Sequence, residues 1–252
     1  MSIKKILLVY AHPDDETFAN AGTIAKYTNE YQAEVYVAVA TKGEAGKLGD
    51  PPLTTRENLG NFRENEMRKA AKHLGITDIF FLNFLDGTLD ILTEVDKKKL
   101  RSAIAKIILE IKPDILITFP EDGISLHKDH IAIHSSCLAA IDSVKMEYII
   151  PKMYYTVVPK SLYKLRGKTN QGTLDSQVTT KINIAKYKQI KFRALLEYRT
   201  QVFSINKVFP GLLTSNNLSL IYDYEHYQLV SLYGETIDFT SHREVSLFDK
   251  LK

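Results

Sequence analysis

The chain is expected to be an α/β protein, a doubly wound, mostly parallel (Rossmann-like) sheet with helices on both faces and a C-terminal elaboration. Three observations lead there. Short continuous apolar runs such as Ile6-Leu7-Leu8-Val9-Tyr10 alternate with longer stretches of helical character. A continuous apolar run is what a strand buried on both faces presents. The helical stretches are long enough to carry the chain back across a sheet, so successive strands pair in parallel, and right-handed crossovers favour a doubly wound order.

Taken in order, the first strand is expected over residues 6–10, a helix over about 18–31 and a second strand over 34–40. The loop 41–55 carries Gly43, Gly46, Gly49, Pro51 and Pro52. It is long for a strand-to-helix connection, and long loops in compact domains are often functional. A helix over 56–74 is closed by Gly75, a residue suited to the left-handed position after a helix end. Strand three is expected at 79–82. Residues 96–112 place Leu100, Ile104, Ile107, Ile108 and Ile111 on one helical face before Pro113 stops them. Strand four is read at 115–119, a helix at 130–142 and strand five at 153–158. Residues 160–180 read as a polar surface excursion and 184–201 as a helix. Residues 218–233, rich in β-branched and aromatic types, read as a hairpin or a return to the sheet. The whole of 1–252 is expected to be a single domain, with core motifs in 4–140 and the elaboration over about 160–252.

Composition narrows the function classes. An apolar fraction of 44% in 252 residues is enough for one large core. The net charge of +3 comes from 33 basic and 30 acidic residues, with no Lys/Arg cluster able to track phosphates, so no nucleic acid is expected. Lys97-Lys98-Lys99 reads as a solvated helix face. Cys137 is the only cysteine, which excludes an intrachain disulfide, and its apolar helical surroundings make it a small buried hydrophobe. The first apolar run is too short for a signal peptide, and no stretch approaches the ~20 apolar residues of a membrane span. A cytoplasmic enzyme with no membrane partner is expected. The apolar C-terminal segments could serve a core or a homo-oligomer interface.

Two loops carry the chemistry. His12-Pro13-Asp14-Asp15-Glu16 follows strand one, and the segment from Glu121-Asp122-Gly123 to His127-Lys128-Asp129-His130 follows strand four. In a doubly wound order, strands one and four are neighbours where the winding reverses, and ligands bind in that crevice. Three consecutive acids there repel one another and lose water, a penalty that a divalent cation reverses. His12, Asp15 and His130 supply two imidazoles and one carboxylate, which leave a coordination position open, as a catalytic metal site needs. A cation there lowers the pKa of a water toward ~7. Asp14 can then take its proton as general base. A protonated His127 could polarise the substrate oxygen, and Asp129 could orient it. Each motif also has an ordinary reading. Glu16 can favour the helix dipole, and Asp129 can cap the helix that begins near His130. His73 reads as surface at a helix end, and His134, one turn after His130, is not expected to join the site, a place behind the ligands being the lesser reading. His226 and His242 stand alone. Two histidines and one carboxylate also make the triad of non-haem iron oxygenases. A phosphoesterase would need more ligands for two metals. A binding protein that kept the metal without catalysis would have no use for Asp14 and His127.

These residues resemble the PIG-L/LmbE-like deacetylases, whose members include bacillithiol-pathway N-acetylglucosaminyl deacetylases. The resemblance rests on His12-Pro13-Asp14-Asp15-Glu16 and His127-x-Asp129-His130. It extends through Thr41-Lys42-Gly43-Glu44-Ala45-Gly46, Arg63-Glu64-Asn65-Glu66 and Phe81-Leu82-Asn83-Phe84-Leu85-Asp86-Gly87, with a weaker echo at Tyr198-Arg199-Thr200-Gln201. It implies a zinc-dependent amidase acting on an N-acetylated amino sugar or glycoside, with one zinc on His12, Asp15 and His130. It also implies Asp14 as base, His127 as oxyanion stabiliser, and Glu44, Arg63 and Asp86 facing substrate. The segment from Gly49-Asp50-Pro51-Pro52 to Arg56 looks like the relatives that act on an N-acetylglucosaminyl malate. The chain departs from the pattern at Lys128 and Leu85, where proline is common, and at Ile124-Ser125-Leu126. Altered sugar preference with retained deacetylation is the expected result.

Overall fold

The computed structural model describes residues 3–165, 171–239 and 241–251. Strand β1 (Lys5–Tyr10) leads into helix α1 (Asp15–Glu30), then β2 (Glu34–Thr41), α2 (Leu59–Leu74) and β3 (Asp78–Phe84). The second winding runs through α3 (Glu94–Ile111), β4 (Ile115–Thr118), α4 (Lys128–Val144) and β5 (Lys152–Val157). The strand order begins β3-β2-β1-β4-β5, all parallel, so the chain reverses its winding between β1 and β4. Residues Ile6 to Tyr10 are all 2% exposed or less, as a strand covered on both faces must be. Each such side chain taken from water contributes roughly 1.5–3 kcal/mol.

The remainder adds α5 (Lys160–Leu165), β6 (Thr180–Asn183), α6 (Lys188–Glu197), α7 (Val202–Val208), α8 (Leu212–Ser215), β7 (Tyr224–Leu232) and β8 (Glu235–Thr236). Strand β7 returns to the sheet antiparallel to β5, and β6 pairs with its far side, also antiparallel. Of the two readings open for residues 218–233, the return to the sheet is the one adopted. Helices α1, α2 and α6 pack together, and α3 packs with α4.

Several boundaries differ from expectation, and the differences matter at the site. Helix α1 begins at Asp15 rather than Phe18, so a proposed ligand sits in its first turn. Helix α4 begins at Lys128, with His127 as its N-cap through Nδ1, which accepts the Asp129 N–H. Asp129 is therefore not the cap. Polar residues at a buried helix start carry no apolar period, so periodicity placed both starts two or three residues late. Helix α2 starts at Leu59, after turns that take up residues 56–58. The expected helix over 184–201 is broken: 3₁₀ turns at Ala185–Tyr187 and Arg199–Gln201 flank α6. The expected surface excursion over 160–180 contains α5 and a 3₁₀ turn at Asp175–Gln177, and its residues 166–170 lie outside the described residues. Cys137 is fully enclosed and burial pushes its thiol up to about 12, so it behaves as a small hydrophobe. Among the described residues no helix is long and apolar enough to cross a membrane.

Candidate active site

Strands β1 and β4 end side by side, and the loops that leave them meet. The β1 loop turns at Asp14, whose φ of 108° is left-handed and strained for a residue with a side chain. Three contacts hold it. The Asp14 N–H donates to Glu16 Oε2 (3.2 Å), and its carbonyl accepts from Thr17 and Phe18 (2.9 Å each). Arg63 Nη2 donates to Pro13 O (2.5 Å) and Asp14 Oδ2 (3.0 Å), while Nη1 donates to Gly43 O (3.0 Å). Arg63, 3% exposed, is thus spent on the loop rather than turned outward. A side chain at Gly43 would collide with that guanidinium, its Cβ falling 2.0 Å from Nη1.

His12, Asp15 and His130 converge. His12 Nδ1 lies 3.2 Å from His130 Nε2 and 3.6 Å from Asp15 Oδ2, and His130 Nε2 lies 3.2 Å from Asp15 Oδ1. The other ring nitrogens settle the tautomers. His130 Nδ1 donates to Gly123 O (3.0 Å), and His12 Nε2 sits between Asp86 Oδ1 (2.9 Å) and Asp129 Oδ2 (3.1 Å). Both histidines therefore turn their remaining ring nitrogens, Nδ1 of His12 and Nε2 of His130, to the same point, beside a carboxylate. Two ring nitrogens this close need positive charge between them, a shared proton or a cation. Ligands bound at 2.0–2.1 Å on a tetrahedral zinc are separated by about 3.3 Å, so the donor set fits that ion. His12, His127 and His130 also offer ring nitrogens within 4.8 Å of one another, and a nitrogen of His12 and carboxylate oxygens of Asp86 and Asp129 form a second such group. The second group shares the His12 nitrogen that faces away from His130 and serves to orient His12. In the first, His127 Nδ1 is committed to the Asp129 N–H, which leaves Asp15 as the carboxylate between the two rings.

Charge follows this geometry. Burial works against a charged His12, but its hydrogen bonds to the carboxylates of Asp129, Asp15 and Asp86 outweigh it and hold its pKa well above the ordinary value. Burial likewise opposes the ionised Asp15, and the two histidines overcome it and drive its pKa far down. Asp14 goes the other way. Burial, opposed by Arg63 and reinforced by Asp15, pushes its carboxyl up to about 8. Burial and the charges of His12 and His130 push His127 down. With Nδ1 accepting from Asp129, neutral His127 carries its proton on Nε2. It can donate a hydrogen bond without being the charged imidazolium expected from the sequence.

Asp129 Oδ2 accepts from Gly87 N–H (2.7 Å) as well as His12, and Oδ1 accepts from Leu89 N–H (3.0 Å). Its carboxylate therefore orients His12, while its backbone N–H is what bonds His127. Asp86, expected to face substrate, places Oδ1 on His12 and accepts the Ala45 N–H on Oδ2 (3.0 Å). Glu44 packs against Gly60, and its Oε2 is enclosed without a hydrogen-bond partner among the described residues. Glu16 is buried and takes the Tyr198 and Thr17 hydroxyls (2.5 Å each) on Oε1. Glu66 takes Thr200 through both its N–H (2.9 Å) and its hydroxyl (2.6 Å). Tyr198 and Thr200 were visible in the sequence only as an echo of a family segment. His134 bonds Phe119 O (3.0 Å), and Phe119 stacks on His130 at 4.0 Å, so His134 stands one layer behind the ligands. His73 pairs with Glu197 (2.9 Å) and His242 with Glu244 (3.3 Å), both away from the site. Lys128 is exposed and pairs with Asp90 (3.3 Å).

Residues 7–141 match the model of the family described as PIG-L, GlcNAc-PI de-N-acetylase. The chain belongs to the PIG-L family. It is a deacetylase, an enzyme of the hydrolase class. A 1D-myo-inositol 2-acetamido-2-deoxy-alpha-D-glucopyranoside deacetylase of Thermobispora bispora is 30% identical over 244 residues, covering 80% of each chain. A probable N-acetyl-alpha-D-glucosaminyl L-malate deacetylase 2 of Bacillus anthracis is 37% identical over 142 residues, 56% of this chain and 61% of that one. The structure of a 4-carboxy-2-hydroxymuconate hydratase of Pseudomonas putida superposes with a TM-score of 0.65 at 17% identity, covering 91% of this chain and 97% of the other. That likeness concerns the fold alone, and one fold can carry different reactions.

Proposed function

We propose that this PIG-L family chain hydrolyses the N-acetyl amide of an amino-sugar-type small molecule, releasing acetate and a free amine, with one zinc ion on His12, Asp15 and His130. The observation that carries the reading is the convergence of two imidazole nitrogens and one carboxylate at 3.2–3.6 Å. When bound, the ion supplies a Lewis acid that lowers the pKa of water and polarises a carbonyl.

The chain's own residues do the rest. Asp14, fixed by Arg63 beside the ligand set, accepts a proton from the attacking water and passes it to the departing nitrogen as the C–O bond forms and the C–N bond breaks. His127 Nε2–H donates to the carbonyl oxygen as it gains charge. Asp86 and Asp129 keep the His12 proton on Nε2, so that Nδ1 stays a ligand. The sugar reading is supported by the names of the inositol- and malate-linked glucosaminide deacetylases to which the chain is similar.

The test is release of amine from N-acetylglucosamine, its glycosides, its malate conjugate and short oligomers, with wild type, with chelator, and with Asp14→Asn. Chelator-sensitive, Asp14-dependent release supports the proposal. Zinc bound at about one per chain without release from any of them would refute the substrate. A chain that binds no zinc would refute the site. A hydratase reaction, which this fold also carries elsewhere, would liberate no amine.

A further inference from the structure

Two strands along from the metal ligands, on the same edge of the sheet, lies a cleft that the reaction as described does not use. The carboxyl ends of β1, β4 and β5 share that edge because the three strands are parallel. Strand β7 is antiparallel and brings its first residues there, with His226 opposite Val157. The cleft between them encloses about 100 Å³. Its walls include Val158, Leu162, Val208, Phe209 and Ile221.

Both motif-bearing segments lend it a wall. Phe18 comes from the first turn of α1, three residues after Asp15, and Ile124 adjoins Gly123, whose carbonyl holds His130. Ile124 has a φ of 66°, a costly conformation for a β-branched residue. Its carbonyl is held there by the Tyr163 hydroxyl at 3.0 Å. The charged groups Lys191 and Glu225 that line it pair with each other and with backbone. Lys191 Nζ donates to Phe18 O (2.8 Å) and Glu225 Oε1 (2.7 Å), while Glu225 accepts the Gly22 and Thr23 N–H groups (3.0 and 2.8 Å). The cleft thus offers carbon rather than charge to an occupant.

We propose that this cleft is a specificity subsite for an apolar group carried by the amide substrate. The inference rests on the deacetylase reading above. The volume sets the size: an apolar cavity of ~150 Å³ takes up benzene, so this one suits a propyl- or butyl-sized group. Such a group has two sources, an alkyl aglycone on the sugar or an N-acyl chain longer than acetyl. Glu225 already neutralises the Lys191 charge at 2.7 Å, which argues against a carboxylate such as malate seated there.

The test uses the full chain loaded with zinc and two substrate series. One varies the glycoside of N-acetylglucosamine from methyl through propyl and butyl to hexyl. The other varies the N-acyl group of methyl glucosaminide from acetyl through butanoyl to hexanoyl. Calorimetric binding of both series to Asp14→Asn runs in parallel. In one series, kcat/KM and affinity are expected to rise about fourfold per methylene and level off near butyl. Leu162→Gln and Val208→Asn, both at half-buried positions, are expected to abolish the rise and leave the methyl N-acetyl substrate unchanged. The series that rises identifies the source. Flat dependence in both series, with the methyl substrate cleaved, overturns the subsite and leaves the deacetylase reading intact. Preference for the malate conjugate over every alkyl glycoside also overturns it. If no compound is cleaved, the reaction reading fails and calorimetry decides the cleft: binding that grows with chain length and is lost in both variants keeps it, and flat binding removes it.

Discussion

Lys152 and Glu244, at the amino end of β5, and the cluster around His12, at the carboxyl end of β1, are both charged groups taken out of water, and they are completed differently. Lys152 has three ammonium protons and three acceptors: Glu244 Oε1 (2.8 Å), Leu247 O (3.1 Å) and Asp249 O (2.6 Å). The other Glu244 oxygen takes the Tyr154 hydroxyl (2.5 Å). No capacity is left over, and the result ties the C-terminal segment to the sheet. Around His12 the carboxylates of Asp15, Asp86 and Asp129 crowd two ring nitrogens that face each other at 3.2 Å. The first cluster is closed by its own hydrogen bonds and holds the fold together, and the second gathers acids around two imidazoles, an arrangement that favours positive charge there.

Substitutions should separate the two clusters. The largest effect is expected from Asp14→Asn, which removes the proposed base. Its kcat should fall roughly 10²–10⁴-fold; initial rates per folded molecule, alongside a melting curve, separate that loss from any cost of weakening the Arg63 contact. Lys152→Met does the reverse. It strands Glu244, fully enclosed, and should cost about 3–5 kcal/mol, measured by denaturant unfolding, while the folded fraction keeps its turnover. An equal loss of activity per folded molecule would show that the two clusters are not independent.

A smaller effect is expected for Asp129→Asn and Asp86→Asn, which loosen His12 without removing a ligand. Zinc affinity should drop roughly 10–100-fold in each, read by competition with a chromophoric chelator; unchanged affinity would mean that neither carboxylate fixes the His12 ring. In the same titration, zinc at about 100 times its Kd should add about 2.7 kcal/mol of stability to wild type, and little to His130→Ala.

The smallest effect is on pH dependence away from both clusters. Burial, aided by Lys181, pushes His226 down to about 4 from an ordinary 6.5. Between those values the unfolded chain binds more protons than the folded one, so this contribution is complete above about pH 6.5 and is lost as pH falls toward 4. His226→Gln should flatten the melting temperature across that window, and a slope as steep as wild type would assign the acid sensitivity to other groups.

The parallel half of the fold was legible because each strand is an apolar run and each helix has one apolar face, as in Leu100, Ile104, Ile107, Ile108 and Ile111 of α3. The same logic failed at the starts of α1 and α4. There Asp15 and Asp129 are buried for their chemistry rather than their polarity, and no apolar period marks them. Arg63 and Asp86 could be placed near the site from their family segments. Their partners, Asp14 across 49 residues and His12 across 74, could not be read from local spacing.

The alternation of strands and helices, the winding reversal and the two His- and Asp-bearing loops that meet there were determined by the sequence, because hydrophobic period and residue type are local properties. Which carboxylate orients His12, where Arg63 spends its donors and how β7 enters the sheet antiparallel were decided only in the tertiary structure. Each depends on strand order and register, which bring distant segments to one edge and leave no period in the chain.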